Sequence, residues 1–389
     1  MKIAVLIGRI AQIGGVLIAA FEEVRYLRKL GYDAELVVLK ETNFAYQDLA
    51  DDIPIRFLSR EFSWIFKKSF RIPFFSFFSL FHLTAPIAAS RVIKNNEYDI
   101  VIVHETYNCF SALALKKKRG IPFIAFLWDP ITYILPRVYK QRFLGNFLFL
   151  LMPLARYLDK KIVEEADSVI LGSNVHKNKF KGLGNIEKTE LEIIPPGCYP
   201  LQELPKERKG YILALTKWDI GKNPCFLLNV LKYLKNKEVK MVVAGNWVQQ
   251  HVYDEFIKKA KEYNLLDRIE ITGRIDEKTK KEFLSEALVL VHPIFEAFGM
   301  MCLEAAGCGC SFIIPKGSGV TDLFINGEHG YFPEEGDLGK YVKKIDYLID
   351  NPDTAFEMGR GAWEVAKKNT WKEHAIKISE LIKVHLNDK

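Results

Sequence analysis

Glu296 and Glu304 stand eight positions apart in HPIFEAFGMMCLEAAGCG (292–309). The run before them, ALVLVHPI, reads as a buried strand, and Phe298-Gly299 as a turn that opens a helix. A parallel strand feeding a helix start leaves backbone N–H groups pointing outward, where an anion such as a diphosphate can sit. Phe298, Gly299 and Met300 would present those groups. Glu304, roughly two helical turns in, is placed to hydrogen-bond a vicinal diol beside the phosphates. Glu296, ahead of the helix, projects where a reacting group would lie. Glutamates near helix N-termini are also favoured by the macrodipole with no function attached. Here the flanks AFGMMCL are nearly all apolar, so two carboxylates kept there need partners.

Two cations follow another apolar run. After YILALT (211–216) comes Lys217-Trp-Asp-Ile-Gly-Lys222-Asn-Pro. A departing nucleoside diphosphate gains negative charge, and fixed ammonium groups at a strand-to-helix turn stabilise it. No Asp-x-Asp occurs in a suitable loop, so neither a metal nor a resident cofactor is expected. Near the start, Gly14-Gly15 lies between the first strand and a long helix that should run to about Leu30 and end on Gly31. Glycines there let the backbone approach a ligand closely. His104 ends DIVIVH, and Trp128-Asp129 closes PFIAFLWD. His104 reads as a satisfied core residue or as part of a site, and Trp128 as core filler or a sugar-stacking ring.

The elements that must position these groups are legible as apolar runs. A first series is IAVLIG (3–8), AELVVL (34–39), DIVIVH (99–104), PFIAFLW (122–128) and SVILGS (168–173). A second is YILALT (211–216), KMVVAG (240–245), RIEITG (268–273), LVLVHP (288–293) and SFIIP (311–315). Continuous rather than alternating runs mark strands covered on both faces, as in parallel sheets flanked by helices. Two α/β domains of Rossmann type with a cleft between them are therefore expected. IIPPGCYPLQELPKERKG (193–210) reads as the linker, giving domains 1–198 and 199–370. The C-terminal stretch 371–389 has apolar residues at helical spacing.

Taken together, these motifs resemble GT-B glycosyltransferases of family 4, which move a sugar from a nucleotide diphosphate with retention of configuration. The match runs from about Gly210 to Phe332 and is looser in the first half. The resemblance implies that Lys217 (Arg is commoner there) and Lys222 bind the donor diphosphate, that Glu304 holds the ribose, and that Glu296 acts electrostatically at the sugar. It implies that Gly14 and Gly15 face the donor phosphates, and that Arg274-Ile275, after RIEITG, presents backbone groups to the base. Asn246 and Trp247 follow the run KMVVAG. GSGVTDLFINGEHGYF (317–332) resembles the family's closing stretch, a Gly-rich loop before a helix carrying an acidic residue, with Asp322 in that place. It also implies that the final helix crosses back onto the first domain. Many relatives carry His-Asp where this chain has Trp128-Asp129. That departure keeps open a non-catalytic nucleotide- or glycan-binding scaffold, and a GT-B nucleotide-sugar epimerase is a further alternative. The expected co-substrate is a UDP- or GDP-sugar, with a glycan or lipid-linked acceptor and no nucleic acid.

Size and composition agree. The chain has 389 residues, 49% of them hydrophobic, which suits two domains rather than one core. The net charge of +7 favours anionic partners, without a basic tract of the kind nucleic acid requires. Six cysteines show no disulfide or metal framework, which fits a reduced, cytoplasmic setting. MKIAVLIGRIAQIGG is interrupted by Arg9 and reads as a first strand, not a leader. Two Phe-rich, basic stretches, Phe62–Arg91 and Arg137–Lys161, point to peripheral contact with an anionic membrane surface. The longest other apolar stretch, Phe143–Ala155, contains Asn146 and Pro153 and falls short of the ~20 residues a spanning helix needs.

Overall fold

In the computed structural model, which describes residues 1–10, 14–42, 47–61, 80–139, 148–181 and 190–387, all the apolar runs read as strands lie in parallel sheets. The chain divides into two compact units, Met1–Pro196 with Trp371–Lys389, and Gly197–Thr370.

The first unit holds β1 (Lys2–Arg9), β2 (Asp33–Lys40), β3 (Ile55–Phe57), β4 (Ile100–His104), β5 (Phe123–Leu127), β6 (Ser168–Leu171) and β7 (Glu190–Ile193). Their order is β3-β2-β1-β4-β5-β6-β7, all parallel. The second holds β8 (Ile212–Leu215), β9 (Met241–Ala244), β10 (Ile269–Gly273), β11 (Val289–Val291), β12 (Ser311–Ile313) and β13 (Gly330–Tyr331), ordered β10-β9-β8-β11-β12-β13. The central strands are buried on both faces, as continuous apolar runs require. Sequence reading missed β3, β7 and β13, each a short strand at a sheet edge. Strand order reverses direction between β1 and β4, and again between β8 and β11. Loops leaving the carboxyl ends at such reversals splay apart and open a crevice.

Five helices matter below: α1 (Gly15–Lys29), α2 (Leu148–Glu165), α3 (Glu277–Glu286), α4 (Met300–Gly307) and α5 (Trp371–Asn387). Helix α1 ends as its sequence suggests, with Gly31 at a φ of +91°. Helix α5 packs on α1 within the first unit. Of the two Phe-rich stretches, residues 62–79 and 140–147 lie outside the described residues. Among the described residues no helix is long and apolar enough to cross a membrane.

A buried network ties α5 down. Glu23 of α1 is fully buried, and its carboxylate meets His104 Nε2 at 2.8 Å and His374 Nε2 at 3.0 Å. His374 Nδ1 donates to the Pro195 carbonyl at 2.7 Å. Trp128 Nε1 donates to His104 Nδ1 at 3.4 Å, so His104 must donate to Glu23 from Nε2. Burial pushes the Glu23 carboxyl up, but the two histidines outweigh it and hold it at about 2, below the ordinary 4.5.

A group held below its unfolded value stabilises the fold above that value and loses the effect as pH falls. The Glu23 contribution, about 3 kcal/mol, is therefore complete above pH 4.5 and fades toward pH 2. Glu23→Ala should cost a similar amount at neutral pH. Amide exchange in α5 should then speed up by about a hundredfold; protection equal to wild type would show that the network does not hold α5.

Candidate functional site

The reversal between β8 and β11 in the second unit is flanked by the loop 216–224 and the loop 292–299. The first is pinned by Trp218, fully buried, whose Nε1 donates to the Ala244 carbonyl at 2.9 Å. Its backbone is laced to the loop after β9, Trp218 N to Asn246 O and Val248 N to Trp218 O, both at 2.8 Å. Trp247 stacks on Trp218 with ring centroids 5.8 Å apart. The buried tryptophan thus anchors a loop that carries a lysine on either side of it. Asp219 caps the tight turn Ile220–Lys222 by accepting from Gly221 N at 2.8 Å, and Asn223 takes a left-handed conformation, φ +46°, before the next helix. Lys222 Nζ reaches Glu296 Oε1. Lys217 is half-buried, and among the described residues it makes no ion pair.

The second loop is held by its own backbone. Ser318 Oγ accepts from Glu296 N at 3.1 Å, Gly319 N donates to Glu296 O at 3.2 Å, and Val320 N to Phe298 O at 2.6 Å. Gly299 has φ +97°, and a Cβ there would lie 3.0 Å from Ile314 Cδ1 and 3.2 Å from Val320 Cγ1. Glycine is required on both counts. It caps α4, whose first N–H groups have no partner within the helix. Glu304 lies little more than one turn into α4, not two, because the helix starts only at Met300.

Glu296 has a second partner that sequence reading passed over. His292, at the end of the β11 run and 3% exposed, places Nε2 3.2 Å from Glu296 Oε1 and Nδ1 3.1 Å from the Ile294 carbonyl. Burial raises the Glu296 carboxyl, yet His292 and Lys222 outweigh it and hold it at about 2. Glu296 is thus a fixed anion over the working pH range. Glu304 has its own cation: Lys280 Nζ of α3, at 2.6 Å from Oε2. Lys280 stands four residues before the buried Leu284, so helical spacing places it on the inward face of α3. That was the available signal, hidden within the charged run EKTKKE.

The remaining predicted positions fall as follows. Arg274 is exposed and Ile275 half-buried in the turn between β10 and α3, after Gly273 at φ +66°. Asp322 is exposed on a single helical turn, Gly319–Asp322. In the first unit, Gly14 and Gly15 are exposed at the start of α1, with nothing within 4 Å of a Cβ built on Gly14. His104 is committed to Glu23, the geometry of a satisfied core histidine. Trp128, 9% exposed, stacks on Phe126 at 4.9 Å and belongs to the same core. Asp129 pairs with Lys179 at 2.6 Å. Among the described residues, no group of three metal-ligating side chains stands together.

Comparison with known proteins covers both units. Residues 13–200 match the family described as Glycosyltransferase Family 4, and residues 201–365 match Glycosyl transferases group 1. D-inositol 3-phosphate glycosyltransferase of Mycolicibacterium smegmatis is 22% identical over 56% of this chain and 53% of its own length. An uncharacterized glycosyltransferase of Methanocaldococcus jannaschii is 24% identical over 72% of this chain and 74% of its own. The chain therefore spans from about half to three quarters of the length of these relatives. Among solved structures, Anabaena HepE in complex with UDP and glucose superposes with a TM-score of 0.75 at 15% identity, covering 99% of this chain and 100% of that one. Sucrose-phosphate synthase of Thermosynechococcus elongatus gives 0.75 at 18%, with all of both chains covered. At such identities these likenesses establish the architecture, two Rossmann-like domains of the GT-B type. With one family matched along the first half and its companion along the second, the chain belongs to the family 4 GT-B glycosyltransferases.

Proposed function

We propose that the protein transfers a sugar from a UDP- or GDP-sugar to an acceptor hydroxyl with retention of configuration and without a metal ion. The observation that carries this reading is the Lys222–Glu296–His292 cluster at the β8/β11 reversal, beside the start of α4, which no side chain caps. A diphosphate at Phe298–Met300 meets the N–H groups of the helix start and the positive end of its dipole. Lys222 and Lys217 neutralise the charge that builds on it as the bond from the anomeric carbon to the donor phosphate oxygen breaks. The acceptor oxygen bonds to that carbon on the same face, and its proton passes to a donor phosphate oxygen. Glu296, ionised throughout, orients sugar hydroxyls and stabilises positive charge at the ring. Glu304 accepts from the ribose hydroxyls, while Arg274 and Ile275 border the base. The uncovered backbone at Gly14 and Gly15 offers a close approach to a ligand of the first unit.

For the acceptor we propose a lipid-linked glycan or similar glycoconjugate, met at the cytoplasmic face of a membrane. The support is α2, where Phe149, Leu150, Leu154 and Tyr157 are all more than half exposed along one face. Arg156 and Lys160 beside them are exposed as well. Apolar side chains flanked by basic ones suit an anionic interface.

Nucleotide release from UDP-, GDP- and ADP-sugars, measured with chelator and with or without lipid extract, tests the reaction. Release that depends on added divalent metal would remove the metal-free assignment, and conversion of the donor with no acceptor would indicate an epimerase. Lys222→Ala should lower turnover at least tenfold at saturating donor, about 1.4 kcal/mol of transition-state stabilisation. Unchanged turnover in a folded variant would overturn the role given to Lys222. In flotation with anionic vesicles at low ionic strength, wild type should rise with the lipid and the double variant Leu150→Asp, Leu154→Asp should stay at the bottom. Equal flotation of the two would discard the α2 surface.

A further inference from the structure

We propose that Lys280 is a positioning residue for Glu304, fixing which carboxylate oxygen is presented to the donor's ribose and so setting discrimination at its hydroxyls. This rests on the reading of Glu304 as the ribose partner. Lys280 is reached from the body of α3, its side chain only 16% exposed, and its Nζ lies 2.6 Å from Glu304 Oε2 and 2.8 Å from Glu277 Oε2. Glu304 Oε2 is shut off from solvent and has no hydrogen bond of good geometry. The ammonium at 2.6 Å is the charge that compensates it. Burial works against the Lys280 charge, but Glu304 and Glu277 outweigh it, and the ammonium is held more firmly than usual. Oε2 is thereby occupied, leaving Oε1 to accept from a hydroxyl.

The lysine also joins two parts of the nucleoside site. Helix α3 starts directly after the Arg274-Ile275 turn, where Asp276 caps it by accepting from Thr279 N at 2.7 Å. Glu304 stands on α4. One salt bridge therefore ties the helix behind the base-side turn to the helix carrying the ribose carboxylate. Glu277, largely exposed and one turn earlier on α3, pairs with the same ammonium at 2.8 Å.

Titration calorimetry with whichever of UDP or GDP the wild type binds, and with its 2′-deoxy counterpart, separates the outcomes. Wild type should prefer the ribonucleotide by about tenfold or more. Lys280→Met should weaken ribonucleotide binding by a similar factor and leave the deoxy form nearly unchanged, so that the preference collapses. Lys280→Arg should restore most of it. Adding Lys280→Met to Glu304→Gln should cost little beyond Glu304→Gln alone, since both remove the same contact. Glu277→Gln, which keeps the bridge to Glu304, should retain the preference. A folded Lys280→Met protein with wild-type discrimination would overturn the assignment, as would additive losses in the double variant. If Lys280→Met does not fold, failure of Lys280→Arg to discriminate would count equally against it. Wild type that binds neither nucleotide would instead fell the donor reading on which this inference stands.

Discussion

A carboxylate withdrawn from water keeps its charge only where donors and cations replace the hydration it has lost. Three glutamates of this chain meet that condition in the same way, each with two partners or a lysine of its own. Glu296 lies between Lys222 and His292, Glu304 against Lys280, and Glu23 between His104 and His374. In the second unit the arrangement yields a group of fixed charges beyond the central strands β8 and β11. In the first it yields a clamp on the terminal helix. The chemistry proposed for the protein depends on the first kind, because an ionised Glu296 and a positive surround are both needed beside a departing diphosphate.

Fixed charges are useful only on a rigid frame, and the frame is supplied by residues with no chemistry of their own. Trp218 plugs the core between the two lysines and hydrogen-bonds inward. Ser318 and the backbone of 319–320 close the loop that carries Glu296. Gly299 lets that loop turn into α4 where no side chain would fit. Each is a neutral group whose position is dictated by packing, and together they set the spacing of the charged ones.

The architecture was legible because strands covered on both faces leave uninterrupted apolar runs, and these survive in any order. Edge strands such as Glu190–Ile193, paired on one side only, carry no such signature. The glutamates and lysines of the site could be read because a buried strand and a glycine turn frame them. Their partners could not. His292 looks like the end of a strand, and Lys280 looks like one lysine among several on a polar helix. What reveals them is the distance to a carboxylate far along the chain, which is a property of the fold. Trp128 and His104 show the converse: their spacing suits a site, yet both sit in the Glu23 core.

The first unit is discontinuous, and that has a consequence for how the molecule is made. Its inner clamp needs His374, which leaves the ribosome only after the whole of Gly197–Thr370. During synthesis the second unit has all its strands while the first still lacks its closing helix, and Glu23 waits with one partner missing. Until Trp371–Asn387 has been made, α1 lacks the helix that covers Glu23, and the packing of the amino-terminal unit is completed after the strands of the second unit are in place.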